Sequence, residues 1–207
     1  MAQKPDEVTA KNAGGDFESH PEGQFPAICV DVVDLGEKLD EYQGKTRVFP
    51  KVALVFASGE HHKTGEKGLI LVTMEMTNSA ADVGKLRPFL ENWRGKSYTP
   101  EQIAAGLPLH KLHGQSALIT VEHKITKKGN TFAKVRSISL LPGIMTAPAG
   151  VLDEYTRPKF LVDKKAQYAA DLAKHRATTS TGDPGPDLPP AEDEDDDLPF
   201  CPDDLPF

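Results

Sequence analysis

Cysteine is scarce in this 207-residue chain. Only Cys29 and Cys201 occur, which excludes a disulfide scaffold and any cysteine-based zinc cluster. Apolar residues make up 38%, below the roughly 45–50% of a fully packed chain. No apolar run approaches the roughly 18–20 residues of a membrane span, and Met1 to Asp16 contain no apolar signal-peptide core. The seven histidines, His61-His62 among them, show no recognised ligand spacing, so neither a metal nor a cofactor is expected. Asp31, Asp34 and Glu75 are acidic, but no nucleophile–base signature, phosphate-cradling glycine loop or zinc-hydrolase motif accompanies them. An enzyme is not expected. What is left is a binding protein, expected to be soluble and cytoplasmic, with no membrane partner.

Charge is abundant and unevenly placed. The chain carries −7 overall, yet Asp183 to Phe207 hold ten acidic residues and no basic one. Met1 to Gln24 carry −3, and Phe25 to Gly182 carry +6. An acidic total therefore conceals a basic body with an acidic tail. That asymmetry points to a polyanion-binding body, with the tail as a partner ligand or an internal competitor. Glycine and proline number 17 each, about one residue in six, so part of the chain is not expected to pack.

The polar leader, residues 1–24, reads as flexible. Phe25 to Leu35 is rich in β-branched residues and reads as a strand that bends across a core. Gly36 to Lys45 reads as a polar connection. Thr46 to Ser58 is a second strand with Pro50 at an edge or bulge, and Leu69 to Thr77 a third. The period then changes: Val83, Leu86, Leu90 and Trp93 fall at helical spacing over Asp82 to Trp93, with Ser79 or Asp82 as caps. Thr99-Pro100 starts a second, short helix ending near Gly106. Gln115 to Ile125 and Thr131 to Leu141 form a hairpin across the turn Thr126 to Asn130. Three strands, a helix, then two strands is the order of a mainly β, five-stranded OB-fold barrel. That domain is placed at 25–148. A linker and helix over roughly Leu161 to Arg176, able to dock on the barrel, occupy 149–177. A disordered acidic tail fills 178–207.

The tail ends in a short repeat, Asp195-Asp196-Asp197-Leu198-Pro199-Phe200 and then Asp203-Asp204-Leu205-Pro206-Phe207. Physically this is a portable ligand. Leu205 and Phe207 fit an apolar pocket, Asp203, Asp204 and the terminal carboxylate meet cations, and Pro206 limits the disorder lost on binding. The repeat resembles the acidic C-terminal tip of bacterial single-stranded DNA-binding proteins. Phe25 to Gly36 (FPAICVDVVDLG), Phe89 to Lys96 (FLENWRGK) and the Gly129 to Pro142 hairpin resemble single-stranded DNA-binding proteins of tailed bacteriophages. The resemblance implies an OB-fold, sequence-tolerant binding of single-stranded DNA, and a tip that recruits replication or recombination proteins.

The residues support the same reading independently. Binding a single strand takes cations for phosphates and flat faces for bases. Arg47, Phe49 and Lys51 alternate with Val48, Val52, Leu54 and Phe56, and Phe132, Lys134 and Arg136 alternate with Ala133 and Val135. Lys124, Lys127 and Lys128 add charge around the last turn. In an OB-fold this loop and the strand 2–3 face form the groove. Arg94, Lys96 and Tyr98 are candidates for backbone contact. Phe49 and Phe132 either stack on bases or lie in the core, since alternation blurs in a curved barrel. Trp93, at a helix end, and Cys29 read as core. A recombination mediator or strand-annealing protein, an adaptor acting through the tail, and an RNA-binding protein are the alternatives. Oligomeric state is open, and a homo-oligomer is among the arrangements considered.

Overall fold

The computed structural model describes residues 19–42, 45–63, 68–81, 84–125 and 131–179. Five strands, β1 (Gly23–Tyr42), β2 (Lys45–His61), β3 (Leu69–Thr77), β4 (Ser116–Ile125) and β5 (Thr131–Ser139), form one antiparallel sheet in the order β3-β2-β1-β4-β5. β1 makes this possible by serving two neighbours. Gly23–Ile28 pair with β4, and Ile28–Tyr42 pair with β2. Register shifts leave Val30 and Leu35 as extra residues on β1, and such bulges bend and twist a strand. Gly36 follows the second shift at φ 75°, a left-handed conformation that glycine takes without a Cβ penalty.

The polar connection expected over Gly36 to Lys45 is mostly strand. β1 continues to Tyr42, pairing Lys38 with Phe49 and Asp40 with Arg47. This ribbon carries polar side chains because backbone pairing, not burial, holds it. β3 and β5, at the two ends of the strand order, approach within 8 Å between Cα atoms. Among the described residues no hydrogen-bonded ladder joins them, and the sheet is not closed.

Between β3 and β4 lie α1 (Leu86–Arg94), α2 (Pro100–Ala104) and a 3-10 turn at Leu109–Leu112. α1 begins later than the sequence pattern indicates. Its N-cap is Lys85, with no side-chain capping bond; Asp82 lies outside the described residues. Pro88 falls in the first turn, where a missing N–H breaks no intrahelical bond. α2 starts as expected: Thr99 accepts from the Gln102 N–H, the Gln102 side chain accepts from the Thr99 N–H, and Pro100 follows.

The inner face of the sheet holds Val52, Leu54 and Phe56 against Leu86, Phe89, Leu90 and Trp93 of α1. Phe56 lies 5.5 Å from the Trp93 ring and 6.4 Å from Phe89. Trp93 is core, and its indole N–H donates to the Ser116 carbonyl at 2.8 Å. Cys29 is buried in the same core, and burial pushes its thiol up to about 12.

The outer face is also buried. Val30, Val33 and Leu35 of β1 and Ala53, Val55 and Ala57 of β2 pack under Val151 of α3 (Val151–Glu154) and Leu161 and Tyr168 of α4 (Lys159–Thr179). Leu161, Tyr168 and Leu172 are buried positions on one face of α4. This explains the unbroken apolar run Val52–Ala57: every residue is buried, because both faces of the strand are covered. The stretch before it behaves differently. Val48, grouped with the core residues by alternation, is 42% exposed and lies outside the packed core.

Ser19 to Gln24, read as part of the leader, are tied to the sheet. His20 is buried. Its Nδ1 lies 2.9 Å from the Pro21 carbonyl and its Nε2 2.6 Å from Ser58 Oγ, which fits a neutral ring donating from Nδ1 and accepting at Nε2. Burial lowers its pKa. Among the described residues no helix is long and apolar enough to cross a membrane.

Candidate nucleic-acid interface

The described residues among those selected from the sequence form three groups, on β2, at the end of α1, and on β5 with Lys124 of the adjoining β4. Arg47, Phe49 and Lys51 lie on the β2 half of the ribbon. Phe49 is half-buried, with the Lys51 ammonium 5.7 Å from its ring centroid. Lys51 is held by Thr77 Oγ1 at 3.1 Å and Asp40 at 3.6 Å. Asp40 also receives Lys38 at 3.2 Å, and that pairing holds its carboxyl below the usual range. Asp40 thus offsets part of the charge that the sequence assigned to this face.

Arg94, Lys96 and Tyr98 form the second group, where α1 ends in the left-handed Gly95. The Arg94 guanidinium stacks on the Tyr98 ring at 4.1 Å. Its Nη1 is buried with no hydrogen-bond partner among the described residues. The Tyr98 N–H donates to Glu91 Oε1, which also receives Arg87; these bonds depress the Glu91 carboxyl. Lys96 is exposed.

β5 carries the third group. Phe132 and Lys134 point away from the core, opposite half-buried Ala133 and buried Val135. Phe132 is 41% exposed, so it is not a core residue. Arg136 is exposed where alternation places it, and the period breaks only after it, at exposed Ser137 and buried Ile138. The register jumps between Thr120↔Ser137 and Val121↔Val135, which leaves Arg136 as a bulge residue. Glu122 lies beneath this patch, 3.3 Å from Lys124 and 3.9 Å from Arg136. Lys127 and Lys128 lie outside the described residues, as do Asp203, Asp204, Leu205, Pro206 and Phe207.

The strand 2–3 face expected to be the groove is partly covered by α4, which packs chiefly on β1 and reaches Ala53, Val55 and Ala57 of β2 and Glu75 of β3 through its side chains. That helix is held by charge as well as by its apolar face. The Asp31 carboxylate accepts two bonds from Arg157, at 2.7 and 3.0 Å, and one from the Tyr155 hydroxyl at 2.6 Å. Burial pushes the Asp31 pKa up, but these bonds outweigh it and hold the carboxyl below its ordinary 3.8. Burial and the Asp31 bond together push the Tyr155 hydroxyl well up. Glu75 of β3 accepts from Lys164 and from the Tyr168 hydroxyl, which outweigh its burial and keep it ionised. Lys165 meets Asp34 at 3.4 Å and Arg176 meets Glu37 at 3.5 Å. Asp31, Asp34 and Glu75 are therefore attachment points for the segment after β5.

Beside α4 the outer surface stays open. A cleft of about 800 Å³ runs along the free edge of β3 to the start of β5, lined by Leu69, Leu71, Thr73, Phe132, Phe160 and Lys164 among others. Phe160 is a residue that the sequence reading passed over. Its signal was its place one residue before Leu161, rotated about 100° off the buried stripe, where a large ring has no core to enter.

No protein-family model matches this chain, and no curated protein matches it.

Proposed function

We propose that the protein binds single-stranded DNA without sequence preference, through the outer surface of β5 and the neighbouring β3 edge, in replication, recombination or repair. The observation that carries this reading is Phe132, an aromatic ring exposed on a strand between sheet edge and hairpin, with Lys134 and Arg136 exposed beside it. A ring and two cations on one exposed strand supply what a single strand needs, stacking for bases and charge for phosphates. The strand order β3-β2-β1-β4-β5 and the helices between β3 and β4 agree with an OB-fold, and we assign the sheet to that class. The resemblance of Phe25 to Gly36 and of the Leu-Pro-Phe tip to phage and bacterial single-stranded DNA-binding proteins points the same way. In this reading Asp203 to Phe207 recruit partner proteins, and the role is binding rather than catalysis.

The test is titration of a labelled oligo-dT of about 30 nucleotides, against duplex of equal length, at about 50 and about 200 mM salt. Preferential binding of the single strand that weakens steeply with salt is the expected result. Equal affinity for duplex, or affinity indifferent to salt, overturns the reading.

A further inference from the structure

We propose that the cleft between β3 and β5 is a nucleobase-binding subsite, with Phe132 and Phe160 as its two aromatic walls. This rests on the single-stranded DNA reading and extends it to a residue of α4. The two rings come from elements far apart in sequence, the start of β5 and the first turn of α4, yet line one cleft. Both stay open to solvent, Phe132 at 41% and Phe160 at 53%. Leu69 and Leu71 give the cleft an apolar floor, and its volume of about 800 Å³ lies within the roughly 300–1,000 Å³ of small-ligand sites.

Its electrostatics select the occupant. Glu75 is neutralised by Lys164, and Glu154 is paired with His61 at 2.8 Å. A cleft whose carboxylates are already engaged, with exposed rings and with Thr73 and Thr156 in its lining, fits a neutral planar group carrying hydrogen-bonding edges, which describes a base and not a phosphate. The phosphates have their cation next door: Lys134 is two residues from Phe132 on the same outward side of β5. α4 also accounts for the site's position. Its buried side chains lie over Ala53, Val55 and Ala57 of β2, and it supplies Phe160 beside that cover, next to the open β3 edge.

The experiment compares the full chain with Phe160→Ala and Phe160→Trp in the oligo-dT titration. Phe160→Ala is expected to bind about fivefold to a hundredfold more weakly, the range for losing one stacked base. Its salt dependence should stay unchanged, because no phosphate contact is removed. Phe160→Trp is expected to restore affinity, with its fluorescence quenched by the oligonucleotide. Photocrosslinking of iodouracil-substituted oligo-dT to the unaltered chain is expected to mark Phe132 or Phe160, and this readout does not depend on a variant folding. If the unaltered chain binds oligo-dT while Phe160→Ala matches it and crosslinks fall elsewhere, the subsite is refuted and the broader reading stands. If the unaltered chain does not bind single strands, the broader reading itself fails. If Phe160→Ala abolishes self-association in sedimentation and leaves DNA affinity intact, the cleft belongs to a second copy of the chain and the proposal falls.

Discussion

The two faces of β2 are buried by opposite chemistries. On the inner face Phe56 meets Trp93 and Phe89, and the partners are apolar throughout. On the outer face Ala53, Val55 and Ala57 are small, and much of the specific attachment comes from carboxylates, Asp31 and Glu75, gripped by residues after β5. The first cover is local, since α1 lies between β3 and β4. The second is remote: Asp31 and Arg157 are joined across 126 residues of sequence. The difference teaches that the inner core defines the sheet, while the outer cover decides which part of the sheet's surface is left for a ligand.

The comparison is broken most severely by removing one cover. A chain ending after Pro148 exposes Val30, Val33, Leu35 and the β2 alanines. Losing the burial of Leu161, Tyr168 and Leu172 alone forfeits on the order of 5–8 kcal/mol, comparable to the whole stability of a small domain. Such a chain is expected to lose its cooperative thermal transition, as followed by circular dichroism. Phe56→Ala, the counterpart on the inner face, is expected to cost about 3–5 kcal/mol in urea unfolding.

Arg157→Ala tests the charged half of the comparison. It leaves the buried Asp31 carboxylate with Tyr155 alone, and is expected to cost about 2–3 kcal/mol. Asp31→Asn is expected to cost less, because Arg157 is half exposed and returns to water. The pH dependence follows from the same bonds. Asp31 and Glu75 titrate below their ordinary values, so their stabilisation is complete above those values and is lost as pH falls through the depressed ones. His20 adds a loss at higher pH. Its folded pKa lies below the ordinary 6.5, so the unfolded chain takes up the proton first and stability declines as pH drops below about 6.5. His20→Gln is expected to flatten that limb in a series of melting temperatures from pH 8 to about pH 5, where histidine titrates.

The smallest effects are expected on the open surface. Lys134→Ala and Arg136→Ala should leave the melting temperature unchanged, since surface changes cost little. Each is expected to reduce the salt dependence of oligo-dT binding by about one unit of log–log slope. Lys51→Ala, already engaged with Asp40 and Thr77, should change that slope less.

Much of the fold was legible because period carries burial. The five strands, the helical spacing of Leu86, Leu90 and Trp93, the helix start at Thr99-Pro100 and the helix over roughly Leu161 to Arg176 follow from local spacing. The misreadings occur where something other than burial set the geometry. The ribbon beyond Gly36 is held by backbone pairing with polar side chains outward, so it looked like a loop. Val48 alternates with the core residues but is not packed among them. Phe132 was ambiguous because alternation states which residues share a side, not whether that side is covered. Arg136 lies on the side that alternation gives it, whereas the register shift that follows it and buries Ile138 is recorded by no local pattern.

By itself the sequence determined the order of elements, the separation of a basic body from an acidic tail, and the residue types able to meet a single strand, because hydropathy period, capping chemistry and charge are local properties. Only the tertiary structure decided that α4 covers part of the outer face, that Asp40 and Glu122 offset nearby cations, and that Phe160 joins Phe132 at one cleft. Those outcomes depend on which strands pair and which faces meet, from Lys38 beside Asp40 to Arg157 on Asp31 across 126 residues, and hydropathy period does not encode such a meeting.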